Sequence, residues 1–338
     1  KFKKNLSNTT IDPIQLSIIL SNLKKQNINN VIMEASSHGL SQNRLDGLSF
    51  NTGIFTNLSQ DHMDYHKNMK DYLKAKTYLF EQLIKKNGNI ITDEKISEYK
   101  QIKKIASNKN LNLFSLLDKK NNFQFLSHQF ENEAQLLKIK YNNSIHNIKL
   151  NLIGKVQLKN ILMAIIAAIK SNISIKDILK VIPRIKSVDG RFEKIGKIKN
   201  NSKIILDYAH TPDALKTCLK NLKEQFPGHK VSLVFGCGGN RDSNKRSKMG
   251  KIADYFSDKI YLTDDNPRLE QPSKIRKDIK KGIKKQKILE FPNRAKAISE
   301  AIKQLNTGEI LLVAGKGHET IQEIGVKKIF FSDKKIIL

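Results

Sequence analysis

The sequence predicts an α/β protein whose mostly parallel sheets carry helices on their faces. Short apolar runs alternate with amphipathic helical segments along most of the chain, which is typical of a parallel sheet. Polar, often glycine-containing stretches follow several of the apolar runs directly, as they do where strands end at a ligand-binding edge. One middle segment departs from the pattern and predicts added antiparallel hairpins.

The first half begins with βα alternation and then changes character. Residues 31–33, 53–55 and 89–91 predict short buried strands, and residues 13–25 and 70–85 predict amphipathic helices. Between residues 111 and 152 short alternating runs predict hairpins, and an apolar helix over about 157–170 and a further short helix follow.

A boundary is predicted near residue 187, because Pro183 and Gly190 interrupt the pattern there. Beyond it the alternation resumes, and Thr211 followed by Pro212 marks a helix start. We therefore expect two domains, residues 1–187 and 188–338. The strands predicted in the second are 202–206, 231–235, 259–262 and 309–313.

Composition narrows the class of protein. The 338 residues carry 61 Lys and Arg against 32 Asp and Glu, a formal charge of +29, with 39% hydrophobic residues. The periodic apolar blocks exclude a disordered chain, and no apolar run approaches the roughly 20 residues of a membrane span. The lysines are spread along the chain without interleaved aromatic residues, which favours a solvated basic surface over a nucleic-acid site. Two cysteines and no signal-like apolar core predict a reducing cytoplasm.

Two polar stretches after strands of the first half are candidate metal or substrate sites. Glu34 begins the stretch Glu-Ala-Ser-Ser-His-Gly, and Asp61, His62, Asp64 and His66 lie in the next. Their spacing matches neither a zinc cage nor a calcium loop, so hydrated Mg²⁺ is the more plausible cation. A capping serine in the first stretch and an ordinary polar loop in the second are the alternatives.

Lys76 falls on the apolar face of its predicted helix. A buried lysine loses hydration, so its neutral amine becomes accessible and can react with carbon dioxide to give a carbamate, a metal-binding anion. The alternative is a lysine whose stem covers the core while its amine reaches water.

Four polar stretches follow strands of the second half and predict one ligand-binding edge. Arginines and acids together suit a zwitterion with carboxylates and amines, such as an amino acid. The stretches begin at Asp207, Gly236, Asp265 and Gly315.

These motifs, in this order, resemble the Mur ligases of peptidoglycan synthesis over nearly the whole chain. The resemblance rests on Glu-Ala-Ser-Ser-His-Gly-Leu with Arg44, on Thr56 through His66, on Ala75-Lys76, on Gly190-Arg191, and on the four stretches of the second half. It implies a central domain followed by a Rossmann-like C-terminal domain. It also implies an ATP-dependent ligase that activates a carboxylate as an acyl phosphate and adds meso-2,6-diaminopimelate to a UDP-N-acetylmuramoyl dipeptide.

The resemblance also implies site residues. Lys76 as a carbamate, Glu34 and His62 are expected to bind Mg²⁺, and with His210 they form the expected catalytic set. The expected dipeptide contacts are Asn8, Thr9, Thr10, Ser36, Gln42 and Arg44. The expected nucleotide contacts are Asn160, Arg191 and Asp207. The expected amino-acid contacts are Arg241, Asp265, Asn266, Pro267, Arg268, Gly315 and Glu319.

The 338 residues contain no Gly-x-x-x-x-Gly-Lys-Ser/Thr loop to cradle ATP phosphates. We therefore expect an N-terminally truncated monomer with little or no ligase activity alone, acting on small molecules and neither binding nucleic acid nor inserting into membranes. The alternatives are a related ligase that adds L-lysine, or glutamate to a folate, and a non-catalytic anion-binding remnant.

Overall fold

The computed structural model describes residues 9–118, 122–196, 201–284 and 288–338. The chain folds into two compact units. The first comprises the part up to Leu126 with residues 138–146 and 159–180, and the second comprises residues 127–137, 147–158 and 181–338.

The described residues form an alternating series of helices and strands. The helices are α1 (Pro13–Lys25), α2 (Ser37–Ser41), α3 (Met69–Tyr78), α4 (Tyr99–Asn108), α5 (Lys155–Lys170), α6 (Ile175–Val181), α7 (Pro212–Gln225), α8 (Asn244–Phe256), α9 (Pro272–Lys280), α10 (Arg294–Lys303) and α11 (Asp333–Ile337). The strands are β1 (Phe50–Phe55), β2 (Ile84–Thr92), β3 (Asn112–Ser115), β4 (Phe123–Glu131), β5 (Ala134–Tyr141), β6 (Ser144–Leu150), β7 (Glu193–Ile195), β8 (Lys203–Asp207), β9 (Val231–Phe235), β10 (Lys259–Thr263), β11 (Ile288–Phe291), β12 (Ile310–Ala314), β13 (Ile321–Ile324) and β14 (Lys327–Phe330).

The first unit contains a parallel sheet of order β1-β2-β3. Phe55, Phe80 and Ile90 pack with Ile102 of α4 in its core. A π-helical turn, Leu79–Leu83, continues α3 and ends where β2 begins, so the predicted helix 70–85 stops two residues early. This arrangement sets α3, which carries Lys76, against the strands.

Two predictions for the first half are wrong. Residues 31–33 are not a strand, and the Ile32 side chain is 98% exposed. Among the described residues no strand pairs with this segment, and an apolar run without a hydrogen-bonded neighbour does not form a sheet. Strand β3, predicted as part of the hairpins, pairs in parallel with β2 instead.

The predicted hairpins are present as a three-stranded sheet of order β4-β5-β6. Asn132-Glu133 and Asn142-Asn143 are the two-residue connections, and connections this short join only antiparallel strands. Positive φ angles at Asn132, Asn142 and Asn143 suit the turns.

The second unit is built on a six-stranded sheet of order β11-β10-β9-β12-β8-β7. All pairs are parallel except β7 with β8. Alternate residues of the strands enter two core clusters: Leu233 packs with α7, α8 and α9, and Val234 packs with α10 and α11. Because both faces are covered by helices, ligand access is left to the edge where the strands end.

Helix α7 begins as predicted. The Thr211 side chain accepts a hydrogen bond from the Ala214 amide, and Pro212 occupies the first turn. Caps of this kind stabilise a helix by about 1 kcal/mol. The helix start therefore holds the residues just before it, Asp207 to His210, at the end of β8. The mixed α/β fold class is confirmed, whereas the boundary at residue 187 stays a prediction.

No helix among the described residues combines the length and apolarity that crossing a bilayer requires.

Candidate functional site

Lys76 lies one helical turn after Tyr72 on α3, with its Nζ 5.1 Å from the centroid of the Tyr72 ring. Burial lowers the pKa of Lys76, and the Glu34 and Asp61 carboxylates offset part of this effect. A lowered pKa increases the fraction of neutral amine at a given pH. The predicted inward position of Lys76 thus agrees with its surroundings.

A cavity of about 370 Å³ in the first unit brings Lys76 and Glu34 to a common space. Thr56 and Asn57, which follow β1, also line it. The rest of the lining is mostly apolar, including Phe80. With Thr52, the lining therefore combines one cation, one carboxylate and three neutral polar residues.

His62 lies in an aromatic cluster next to that helix. Its ring centroid is 4.8 Å from that of His38 and 6.1 Å from that of Tyr72. The His66 ring stacks on Tyr72 at 4.8 Å, and its Nε2 lies 2.9 Å from the Ser37 hydroxyl. Tyr72 thus contacts both the histidine cluster and Lys76. Burial, and secondarily His62, lower the pKa of His38 and of His66.

The donor chemistry around Lys76 fits a hard cation. In the described parts of the chain no group of three or more His, Cys, Asp or Glu side chains is placed to hold a metal. The Glu34 and Asp61 carboxylates nevertheless both act to raise the pKa of Lys76, and a carbamate there would add two oxygens that share one negative charge. Oxygen donors of this kind suit hydrated Mg²⁺ and not structural zinc.

Four of the predicted dipeptide contacts form one hydrogen-bonded network. The Thr10 hydroxyl donates to the Glu34 carbonyl at 2.9 Å and accepts from the Ser36 amide at 2.8 Å. Arg44 Nη1 donates to the Thr10 carbonyl at 2.7 Å, and its Nη2 donates to Gln42 Oε1. The network holds a guanidinium and two hydroxyls together.

The network requires close packing at α2. A Cβ on Gly39 would lie 2.5 Å from Thr10 Cβ, so only glycine fits. Thr9 is exposed beside the network. Asn8 lies outside the described residues.

In the second unit, β8, β9, β10 and β12 run parallel and end at the same edge. The Gly315 amide donates to the Asp207 carbonyl at 3.1 Å across this edge. A Cβ on Gly315, whose φ is 117°, would lie 2.8 Å from Asp265 Oδ2. Glycine at this position therefore lets the Asp265 carboxylate approach the main chain after β12.

Lys316 is fully buried, and its ammonium contacts two of the residues predicted to bind the amino acid. Nζ donates to Asn266 Oδ1 at 3.0 Å, to Glu319 Oε2 at 2.9 Å and to the Ile321 carbonyl at 2.7 Å. Asn266 Nδ2 also donates to Glu319 Oε2 at 3.2 Å, and the Tyr208 hydroxyl to Glu319 Oε1 at 3.3 Å. Lys316 thus fixes two of the predicted contacts.

Arg268 lies at the same edge with a left-handed backbone, φ 50°. Its Nη1 donates to the Gly239 carbonyl at 3.0 Å, and its Nε lies 2.7 Å from Glu323 Oε2. The Pro267 carbonyl lies where a Cβ on Gly239 would sit, at 1.9 Å. Arg241 is exposed near this loop.

The predicted nucleotide residues lie in different units. The Arg191 guanidinium lies over the Tyr208 ring, 4.6 Å from its centroid, and Asp207 accepts from the Phe192 amide at 2.8 Å. Burial raises the pKa of Asp207. His210 Nδ1 lies 2.8 Å from the Tyr208 carbonyl. Asn160 is exposed on α5 in the first unit.

Sequence reasoning assigned no role to four residues that contact the predicted ones. They are Tyr72, Lys316, Gln322 and Glu323. Lys316 lies inside one of the motifs, but burial of a lysine after a strand is not visible in sequence. Gln322 and Glu323 lie on β13, which no sequence pattern had predicted.

Models of two protein domains match the chain. The Mur ligase middle domain matches residues 2–168, and the model described as "Mur ligase, glutamate ligase domain" matches residues 190–317. Together they cover the predicted site residues of both units except Glu319, and they also leave out β13 and β14.

Individual relatives and solved structures indicate the same family as the two domain models. The chain is 40% identical over 330 residues to the UDP-N-acetylmuramoyl-L-alanyl-D-glutamate–2,6-diaminopimelate ligase of Rickettsia montanensis, covering 97% of this chain and 68% of that protein. It is 40% identical to the ligase of that name from Fusobacterium nucleatum, covering 97% and 67%. A solved structure of a ligase of that name superposes with a TM-score of 0.65 at 30% identity, covering 97% of this chain and 67% of that one. A folylpolyglutamate synthase structure from Thermotoga maritima, at 19% identity and a TM-score of 0.58, covers 80% of this chain and 57% of its own and shares the fold alone.

Proposed function

The chain belongs to the Mur ligase family, and we propose that its reaction is the ATP-dependent addition of meso-2,6-diaminopimelate to UDP-N-acetylmuramoyl-L-alanyl-D-glutamate. The observation that carries the choice of amino acid is Arg268, whose guanidinium is held at the strand edge by Glu323 and the Gly239 carbonyl. A guanidinium there matches the distal carboxylate that lysine lacks.

The reaction has two steps. A dipeptide carboxylate oxygen attacks the γ-phosphorus of ATP, which gives an acyl phosphate and ADP. The neutral amine of the amino acid then attacks the acyl carbon, the C–O bond to phosphate breaks, and the nitrogen loses a proton. The products are the amide, ADP and phosphate.

In the first unit, the proposed role of Arg44, Gln42, Ser36 and Thr10 is to hold the dipeptide end of the first substrate, with Asn8 and Thr9 beside them. A guanidinium and hydroxyls supply the donors that carboxylates and amide carbonyls need.

Lys76 as a carbamate, Glu34 and His62 are the proposed Mg²⁺ ligands. The bound cation would neutralise charge on the phosphate oxygens. Tyr72 and the buried surroundings of Lys76 keep the amine in the less hydrated state that carbamate formation needs. Asn160, Arg191 and Asp207 are the proposed nucleotide contacts, with His210 next to them.

In the second unit, Arg268 and Arg241 would pair with carboxylates of the amino acid, and Asp265 and Glu319 with its ammonium groups. Asn266, Pro267 and Gly315 complete the pocket through amide and main-chain groups. Because Lys316 orients both Asn266 and Glu319, the pocket is preorganised before the amino acid binds.

The lysine-adding reaction is the second candidate, and Arg268 argues against it. With lysine bound, the Arg268 N–H groups that Glu323 and the Gly239 carbonyl do not engage would have no substrate carboxylate to pair with, which disfavours lysine. The likeness to the folate enzyme is one of fold alone. A non-catalytic anion-binding remnant would be indicated only by a pocket that shows no preference between amino acids.

The proposed location is the cytoplasm, because the proposed substrates are the nucleotide-linked precursors and ATP of that compartment. That the protein is a monomer stays a prediction. The reaction would thereby serve cell-wall synthesis, cell shape and division.

Equilibrium dialysis with labelled meso-diaminopimelate tests the proposal. We expect the chain to retain the label, and a tenfold excess of L-lysine to displace little of it. Equal displacement by lysine and by unlabelled meso-diaminopimelate would contradict the substrate assignment. In a phosphate-release assay we expect the 338-residue chain alone to release little phosphate from ATP. Its sequence contains no Gly-x-x-x-x-Gly-Lys-Ser/Thr loop to bind the ATP phosphates.

A further inference from the structure

The hairpin of β13 and β14 holds the main chain of the loop that carries Arg268. Gln322 Nε2 donates to the Asp265 carbonyl at 2.6 Å, and the Glu323 amide donates to Asn266 Oδ1 at 3.1 Å. The Arg268 amide donates to the Glu323 carbonyl at 3.0 Å, and the Gly325 amide to the Arg268 carbonyl at 2.7 Å. The left-handed backbone of Arg268 is therefore fixed on both sides by this hairpin.

The Glu323 side chain also holds the Arg268 guanidinium. Its Oε2 lies 2.7 Å from Nε, while Nη1 donates to the Gly239 carbonyl at 3.0 Å. The ion pair with Glu323 and the hydrogen bond to Gly239 engage two different nitrogens of one planar group, so together they restrain its position and the orientation of its plane. The guanidinium has five N–H groups, and the hydrogen bond to Gly239 uses one of them.

We propose that Glu323 is a positioning residue that sets amino-acid specificity, by holding the Arg268 guanidinium so that its remaining N–H groups pair with the distal carboxylate of the incoming amino acid. The inference rests on the proposed function of Arg268. An arginine side chain free to rotate loses substantial conformational freedom on binding, and an arginine already fixed does not. Glu323 lies beyond residue 317, where the match to the C-terminal family model ends.

The opposite effect is also physically conceivable. If Glu323 merely occupied the place of the substrate carboxylate, removing it would free Arg268 and tighten binding. The two roles predict changes of opposite sign, so one substitution series separates them.

Glu323→Ala and Glu323→Gln are the informative variants, and Lys327→Ala on the exposed part of the same hairpin is the matched control. Calorimetric titration with meso-diaminopimelate should show about tenfold weaker binding for Glu323→Ala. Glu323→Gln keeps the shape of the side chain but loses the charge of the ion pair, so its affinity should lie between those of the wild type and Glu323→Ala. Lys327→Ala should bind as the wild type does. Unchanged or tighter binding by Glu323→Ala would overturn the proposal.

A ligand-free measurement accompanies the titration. The NMR relaxation of Arg268 Nε, whose signal is assigned by its loss in Arg268→Lys, should report a restrained side chain in the wild type and a more mobile one in Glu323→Ala. Equal mobility in the two proteins would also overturn the proposal. If the wild type binds neither meso-diaminopimelate nor lysine, the proposed function itself is wrong. If it binds meso-diaminopimelate selectively and Glu323→Ala does so equally, only the inference is wrong.

Discussion

The ammonium of Lys76 lies over the Tyr72 ring, with Nζ 5.1 Å from the ring centroid. Burial raises the pKa of Tyr72 to about 12 and lowers that of Lys76. Both shifts follow from the exclusion of water at this point of α3. Tyr72 therefore connects Lys76 with the histidine cluster, because the His66 ring stacks on the Tyr72 ring.

Lys76 is expected to form a carbamate. Its neutral amine would add to carbon dioxide with loss of one proton, whereas solvated lysines remain protonated. Carbon-13 NMR in labelled bicarbonate should show a carbamate signal that Lys76→Arg abolishes. Lys74→Arg, on the exposed face of the same helix, is the control. A signal that persists in Lys76→Arg would mean that another amine is modified.

Acid should destabilise the first unit through His38 and His66. Burial lowers both folded pKa values below 6.5, so the unfolded chain takes up protons first as the pH falls. The free energy of unfolding should therefore decrease as the pH falls from about 6.5 through the folded pKa values, and level off below them.

Urea unfolding at a series of pH values, without added metal, measures this effect. His66→Gln should show a smaller loss of stability than the wild type over the same pH range, while His229→Gln, a partly exposed histidine of the second unit, should not. If His66→Gln loses as much stability in acid as the wild type does, His66 does not contribute to the pH dependence.

Lys316→Met should destabilise the second unit by about 2–4 kcal/mol. The substitution leaves the Ile321 carbonyl and two side-chain acceptors without their buried donor, and breaking a buried ion pair costs about 3–5 kcal/mol when both partners are fully enclosed. Glu319 is partly exposed, which reduces the cost. Chemical denaturation measures the loss, with the exposed Lys303→Met as control.

Arg268→Ala should weaken meso-diaminopimelate binding by about tenfold to a hundredfold, the range for losing charge-assisted hydrogen bonds. Binding of ATP to the protein should change little. Calorimetry with each ligand measures both, and Lys274→Ala, exposed on α9, is the control. Equal losses for both ligands would indicate general unfolding and contradict the assigned role.

The sequence predicted helices and strands well where the apolar face of the segment packs against another element. Strand β9 and helix α1 have the predicted bounds, and Thr211 caps α7. The strand predicted at residues 31–33 does not form, because an apolar run indicates strand propensity but not whether a neighbouring strand is available to pair with it.

The candidate sites were less predictable than the fold. Motifs identified Arg268 and Glu319, since polar residues after strands share one edge. They could not show that Lys316 is buried between Asn266 and Glu319, or that Glu323 pairs with Arg268. The contact of Lys316 with Asn266 joins two stretches that are distant in sequence, and the pair of Arg268 with Glu323 depends on the β13–β14 hairpin, which the sequence analysis did not predict.

A crystal structure of the chain with meso-2,6-diaminopimelate tests the central claim most directly. The account predicts the distal carboxylate against the Arg268 guanidinium, with the Glu323 ion pair and the hydrogen bond to the Gly239 carbonyl kept. A distal carboxylate bound elsewhere, with Arg268 left paired to protein groups alone, would contradict it.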